Sequence, residues 1–116
     1  MFPVENLRDW VGLDVIDPES KKIGALEAVY VDTLTDEPSF LTVEYGFLNR
    51  RHLVFVPADG VTVTPKAVRV RYNKDLVRDA PGIPTDGELL AADEPKVFAH
   101  YHLDYGTAPE RRLARR

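Results

Sequence analysis

Short stretches in which hydrophobic and polar residues alternate follow one another from about residue 12 to residue 72. The clearest covers residues 40–45, where Leu41, Val43 and Tyr45 share one face of a strand. Turn-forming residues separate these stretches at the spacing of about 8–12 residues that is typical of all-β domains. The pattern predicts strands at residues 13–17, 23–32, 40–45, 52–56, 60–64 and 67–72. The expected fold is therefore mainly β, a small antiparallel barrel or sandwich with short C-terminal helices.

Two of the predicted strands, residues 23–32 and 52–56, are hydrophobic on both faces. In the second of them, Val54 and Val56 lie opposite Leu53 and Phe55. The wall of a small barrel needs only one apolar face, so something must cover the other. We expect the C-terminal helices of the same chain to supply the cover. The alternative is a second copy of this chain or another protein, and both covers can occur together.

Helical patterns begin after residue 72. Asn73 is a suitable N-cap for a short helix, and a further short helical stretch is expected at residues 87–93. Pro95 suits the first turn of a last helix over residues 93–104, which Gly106 is expected to end.

The end of the chain has a different composition from the rest. We expect one domain over residues 1–106, followed by a basic, disordered tail over residues 107–116. An alternative is that the tail is a basic arm that touches RNA or an acidic partner. Its arginines are Arg111, Arg112, Arg115 and Arg116.

The overall charge argues against bulk attraction to nucleic acid or to an acidic membrane surface. The chain has 116 residues, 44% of them hydrophobic, and a net charge of −4. It contains no cysteine, which excludes disulfides and thiol catalysis, and no stretch has the hydrophobic length of a membrane span. The beginning of the chain lacks the pattern of a signal peptide, so a cytoplasmic location without membrane insertion is expected.

Candidate metal ligands are few. His100 and His102 are two positions apart, a spacing that places them on different sides of the predicted helix. The acidic turn with Asp32, Asp36 and Glu37 lacks the spacing of a calcium loop. No metal and no cofactor is expected, although a metal- or small-ligand-binding regulator built on these groups is a second alternative function.

Catalytic motifs are missing as well. Ser20 and Ser39 do not lie in a nucleophile motif, and the sequence has no glycine-rich phosphate-binding loop. We therefore expect no catalytic residue and no enzymatic activity.

One loop combines basic and hydrophobic side chains and is the candidate contact site. It contains Phe47, Leu48, Arg50 and Arg51, directly before the strand that starts at His52. The loop is either a solvated hairpin tip or a protein-contact site, and the second interpretation follows from the enrichment of arginine and aromatic residues in protein–protein interfaces.

Many short motifs, in order and spacing, resemble the PRC-barrel domain family over about residues 7–106. They are Gly12, Val15-Ile16-Asp17, Lys22-Ile23-Gly24, Val29-Tyr30-Val31-Asp32, Val43, Gly46, Arg51-His52, Val56-Pro57, Tyr72-Asn73-Lys74-Asp75, Asp79-Ala80-Pro81, Tyr101 and Tyr105-Gly106. The resemblance is to the short stand-alone bacterial members. It implies a small β-barrel with appended helices.

The resemblance also implies a non-catalytic docking role. The barrel docks other macromolecules in the photosynthetic reaction-centre H subunit and in the bacterial ribosome maturation factor. The sequence differs from both, since it shows neither a membrane helix nor a second domain before the barrel. We expect a cytoplasmic protein-interaction or adaptor module that self-associates as a homodimer. The first alternative is an RNA- or ribosome-associated accessory factor.

Overall fold

The computed structural model describes residues 9–46, 51–84, 87–103 and 113–115, and these contain one eight-stranded sheet and two α-helices. The strands are β1 (Asp14–Ile16), β2 (Lys22–Asp32), β3 (Pro38–Tyr45), β4 (His52–Pro57), β5 (Thr62–Val63), β6 (Ala67–Arg69), β7 (Gly82–Pro84) and β8 (Leu113–Arg115). The helices are α1 (Lys74–Arg78) and α2 (Glu94–His100), the second of which follows a 3-10 turn at Ala91–Asp93. The six strands predicted from the alternation correspond to β1 to β6.

The sheet is mixed, and over the described residues it does not close into a barrel. Its order is β5-β6-β1-β2-β3-β4-β7, and β8 also pairs with β2. The prediction of a mainly β fold is confirmed, but the prediction of a closed antiparallel barrel is wrong for these residues. β1 and β6 pair in parallel, whereas β5 and β6 pair antiparallel. Alternation along a strand does not encode the direction of its partner.

Both faces of the central strands are buried within this one chain. On β4, Leu53, Val54, Phe55 and Val56 are all at most 1% exposed. The ring of Phe98 in α2 packs edge-on against Phe40 of β3, with 4.8 Å between ring centroids. The C-terminal helix therefore covers the second apolar face. Of the two covers that the sequence allows, the structure shows the one supplied by the same chain.

Local side-chain chemistry sets the ends of both helices. The Asn73 side chain accepts a hydrogen bond of 2.9 Å from the Leu76 backbone N–H, as its predicted capping role requires. Pro95 lies in the first turn of α2. This helix ends earlier than predicted, because His102 has a left-handed backbone with φ of 59°. The predicted stop at Gly106 lies outside the described residues.

Two strands are additions that the sequence did not predict. β7 follows Pro81 and pairs with β4 at the edge of the sheet, where a proline at a strand end is tolerated. β8 comes from the arginine-rich end of the chain, and its Leu113 is buried. The composition of the sequence predicts a disordered tail there, whereas these three residues form a strand of the sheet in the structure. A helical stretch is also predicted at residues 87–93, where only Ala91–Asp93 forms a 3-10 turn.

Among the described residues, neither helix has the length and hydrophobicity required to cross a lipid bilayer.

Candidate functional site

An open cleft of about 370 Å³ lies where the beginning of β2 meets the end of β3. We call it the basic cleft. Its charged and aromatic lining residues are Lys22, Glu44, Tyr45, Arg51 and Arg78. Three of these five side chains are cationic and only one is a carboxylate, so the lining is positively charged.

Glycine shapes the floor of the basic cleft. A β-carbon added to Gly24 would lie 2.3 Å from the backbone oxygen of Glu44 and 2.8 Å from a methyl group of Val43. Real β-carbons do not approach other atoms so closely, and only glycine therefore allows β2 and β3 to meet here. The backbones at this end of the sheet are consequently fixed relative to each other.

Arg78, in the last turn of α1, is the cation of the basic cleft that is held most firmly. The Arg78 guanidinium donates a hydrogen bond of 3.0 Å to the Ile23 carbonyl oxygen and lies over the Tyr45 ring, 4.9 Å from its centroid. The Tyr45 hydroxyl donates in return to the Arg78 carbonyl oxygen at 3.0 Å. The His52 ring also packs against Tyr45, with 4.2 Å between the ring centroids. Arg78 is thus positioned before any partner arrives.

The other two cations are held loosely. Lys22 is 3.2 Å from Asp14, and Arg51 is 3.4 Å from Glu44. The Lys22 and Arg51 side chains are each 62% exposed. Ion pairs of this kind on a surface contribute little free energy, so either cation can exchange its partner at small cost.

The structure locates only part of the predicted contact loop. Arg51 lies in the lining of the basic cleft, directly before β4. Phe47, Leu48 and Arg50 lie outside the described residues. Sequence reasoning missed Lys22 and Arg78, which lie far from Arg51 along the chain. The sequence gives one indication of Arg78, because it lies in the last turn of the short helix that Asn73 caps.

Two of the side chains considered as metal ligands, those of Asp32 and His100, are engaged within the chain. The Asp32 carboxylate accepts a hydrogen bond of 2.8 Å from the Leu34 backbone N–H. The Asp36 N–H donates to the Asp32 carbonyl oxygen at 2.7 Å, as expected of a tight turn. His100 Nε2 lies 2.7 Å from the Leu76 carbonyl oxygen. Over the described ranges, no group of three or more histidine, aspartate or glutamate side chains is arranged to hold a metal ion.

One buried carboxylate next to the cleft strands has a structural role. Asp17 is 1% exposed, and its carboxylate accepts hydrogen bonds from the backbone N–H groups of Glu19, Lys21 and Lys74. Burial alone raises the pKa of the Asp17 carboxyl, but these hydrogen bonds outweigh it and hold the pKa below its usual value. Asp17 thereby joins the turn after β1 to the beginning of α1.

Comparison with known protein families gives a match. The family model described as the PRC-barrel domain matches residues 3–77, which include Lys22, Glu44, Tyr45 and Arg51 but stop one residue before Arg78. No curated protein matches the chain.

Proposed function

The chain belongs to the PRC-barrel domain family, and we propose that it is a non-catalytic protein-interaction module that binds an acidic segment of a partner protein in the basic cleft. One observation carries the proposal. Lys22, Arg51 and Arg78 converge on a single open cleft of a chain whose net charge is −4.

Charge complementarity selects the kind of partner. The lining has three positive charges and the single negative charge of Glu44, so its formal net charge is three minus one, or +2. The rest of the surface is acidic in balance and repels the same partner. A local positive cleft on a negative protein attracts and orients an acidic segment, which gives specificity more than affinity.

The shape of the cleft favours a protein segment over an enclosed small molecule. Pockets that hold small ligands bury most of the ligand surface and are mainly apolar. The basic cleft is open and is rimmed by charged side chains. The described lining contains no serine, threonine or cysteine, which supports a binding role rather than nucleophilic catalysis.

The three cations of the basic cleft differ in how firmly they are held, and we expect them to contribute differently to binding. Arg78 is fixed by Tyr45 and by the Ile23 carbonyl oxygen, so it binds without a further loss of side-chain freedom. Lys22 and Arg51 are exposed and adjust to the partner by giving up their present carboxylates. The predicted contact residues Phe47, Leu48 and Arg50 belong to the loop that precedes Arg51, and we include them in the proposed interface.

Self-association stays a prediction. Its physical basis in the sequence is an uncovered apolar face on β2 and β4. Ile23, Leu26, Val31, Leu53 and Phe55 are each at most 1% exposed in the single chain. The described parts of β2 and β4 thus have no large apolar face left to drive dimerisation.

The RNA-associated alternative depends largely on the arginine-rich end of the chain, where Arg115 is the one arginine that the structure describes. Arg115 forms an ion pair with Glu27, whose side chain is only 17% exposed. A phosphate backbone would have to displace this carboxylate to bind Arg115.

Charge reversal at matched positions tests the proposal. Arg51→Glu reverses a cation of the basic cleft, and Arg71→Glu is its control, since Arg71 is 66% exposed and pairs with Asp59 at 2.9 Å. The probe is a fluorescently labelled poly-glutamate peptide, followed by anisotropy. We expect R51E to weaken binding by about tenfold or more, with about a twofold effect at most for R71E. Equal losses in the two variants, or no loss in R51E, would overturn the proposal.

A further inference from the structure

The C-terminal strand occupies one edge of β2. Tyr30, Val31 and Asp32 pair antiparallel with Arg115, Ala114 and Leu113, respectively. This pairing involves the second half of β2, whereas the basic cleft lies at the first half of the same strand.

We propose that this edge is a binding site for an extended peptide segment with an aliphatic residue followed, two positions later, by an arginine. We call it the edge slot, formed by Glu27, Tyr30–Asp32 and Glu94. In the structure, β8 of the same chain occupies it. The proposal does not rest on the basic cleft, since it concerns another surface and a partner of opposite charge.

Glu27 gives the edge slot its preference for a cation. Its side chain is only 17% exposed, and one carboxylate oxygen accepts a hydrogen bond of 2.7 Å from the Thr42 hydroxyl. The other oxygen contacts the Arg115 guanidinium. A carboxylate that has lost most of its water is costly without a positive partner, so the slot selects a strand with a cation at this position.

Glu94 accepts a hydrogen bond from the backbone of the bound strand, at the position of the aliphatic residue. It is fully buried in the first turn of α2 and accepts a hydrogen bond of 3.3 Å from the Leu113 N–H. The Leu113 side chain is 8% exposed and belongs to the hydrophobic core. An apolar side chain at this position is therefore recognised by burial, while its N–H is recognised by a carboxylate.

These contacts correspond to strand addition, a recurring mode of peptide recognition. Backbone pairing supplies affinity, and the side chains at alternating positions supply specificity. Leu113 and Arg115 are two positions apart, and so each side chain meets its own part of the slot. Every group that recognises the strand belongs to β2 or α2, and a segment from another molecule would meet the same groups.

The tethered tail has an advantage over any competing strand. A segment joined to its own site acts at an effective concentration in the millimolar range. A free peptide of the same sequence should thus bind the wild-type chain weakly, and more tightly once the tail is loosened.

Peptide binding to the full chain tests the proposal. The probe is a labelled peptide of residues 107–116, and Arg115→Glu loosens the tail by placing a carboxylate against Glu27. We expect R115E to bind the peptide at least about tenfold more tightly than wild type. Adding Glu27→Gln should abolish this gain, and a peptide that itself carries R115E should not bind. A folded R115E protein that binds no more tightly than wild type, or that binds both peptides equally, would overturn the proposal.

A locked tail provides a second measurement, in which one protein is compared with its tail cross-linked and released. The chain has no cysteine, so Val31→Cys with Ala114→Cys places the only two thiols at cross-strand partners. Oxidation should close the slot and reduce peptide binding by about tenfold or more, and reduction should restore it. Equal binding by the oxidised and reduced forms would show that the peptide binds elsewhere and would overturn the proposal.

Discussion

The Tyr101 hydroxyl donates a hydrogen bond of 2.5 Å to the Phe55 carbonyl oxygen, which fastens the end of α2 to the middle of β4. Both residues are buried, and the Tyr101 ring also lies edge-on against Tyr72, with 4.9 Å between centroids. This contact holds the C-terminal helix over the second apolar face of the sheet. Through this contact, a single chain covers the second apolar face of its own central strands.

Tyr101→Phe should lower the free energy of unfolding by about 1–2 kcal/mol, because it leaves a buried carbonyl without its donor. Burial raises the pKa of the Tyr101 hydroxyl above its usual value. A raised folded-state pKa means that the stabilisation is complete below about pH 10 and is lost as the pH rises further. The variant should therefore lose less stability than wild type as the pH rises from about 10 to about 12. Urea unfolding across this range measures both effects, and identical profiles would contradict them.

Phe98→Ala should cost about 3–5 kcal/mol, because it removes the ring that packs on Phe40 and leaves a cavity under α2. Leu90→Ala is the control, since Leu90 is 56% exposed and should change stability by no more than about 0.5 kcal/mol. Chemical denaturation gives both values. Equal effects of the two substitutions would mean that α2 does not cover the sheet.

Asp17→Asn should destabilise the protein by about 1–3 kcal/mol at neutral pH, because three backbone N–H groups lose a charged acceptor. The folded-state pKa of Asp17 is lowered, so its contribution is present above the unfolded pKa of about 3.9 and is lost as the pH falls through the folded value. Thermal unfolding between about pH 7 and pH 2 should show the two proteins converging in acid. A constant difference in stability down to the lowest pH would be inconsistent with this role.

Gly24→Ala should lower stability by about 1–3 kcal/mol, because the new methyl group meets the Glu44 carbonyl oxygen and forces β2 and β3 apart. The same movement displaces the floor of the basic cleft, so binding of the poly-glutamate probe should weaken as well. Denaturation and anisotropy are the two measurements. A variant with wild-type stability would show that the close approach of these strands is not required.

Alternation predicted the central strands well, because each of them faces a well-packed core. It did not predict β7, which is three residues long and contains Gly82 and Pro84, both disfavoured inside strands. The arginine-rich composition of the chain end predicts a disordered tail at Leu113–Arg115. What makes those residues a strand is tertiary, namely the carboxylate of Glu27 and the backbone edge of β2.

The basic cleft was predictable only in part. Arg51 was singled out because it lies in a compact basic and aromatic loop. Lys22 and Arg78 belong to separate elements, and nothing in their spacing along the chain indicates that they meet. Their convergence depends on the close contact of β2 with β3 at Gly24 and on α1 packing beside Tyr45.

Backbone amide NMR during titration with the poly-glutamate peptide tests the proposed binding site most directly. The largest chemical-shift changes should fall on residues 22–25, residues 44–46, Arg51 and Arg78. The region around Asp59 and Arg71 should change little, although it also carries an exposed arginine. Changes centred on that region, or spread evenly over the surface, would contradict binding in the cleft.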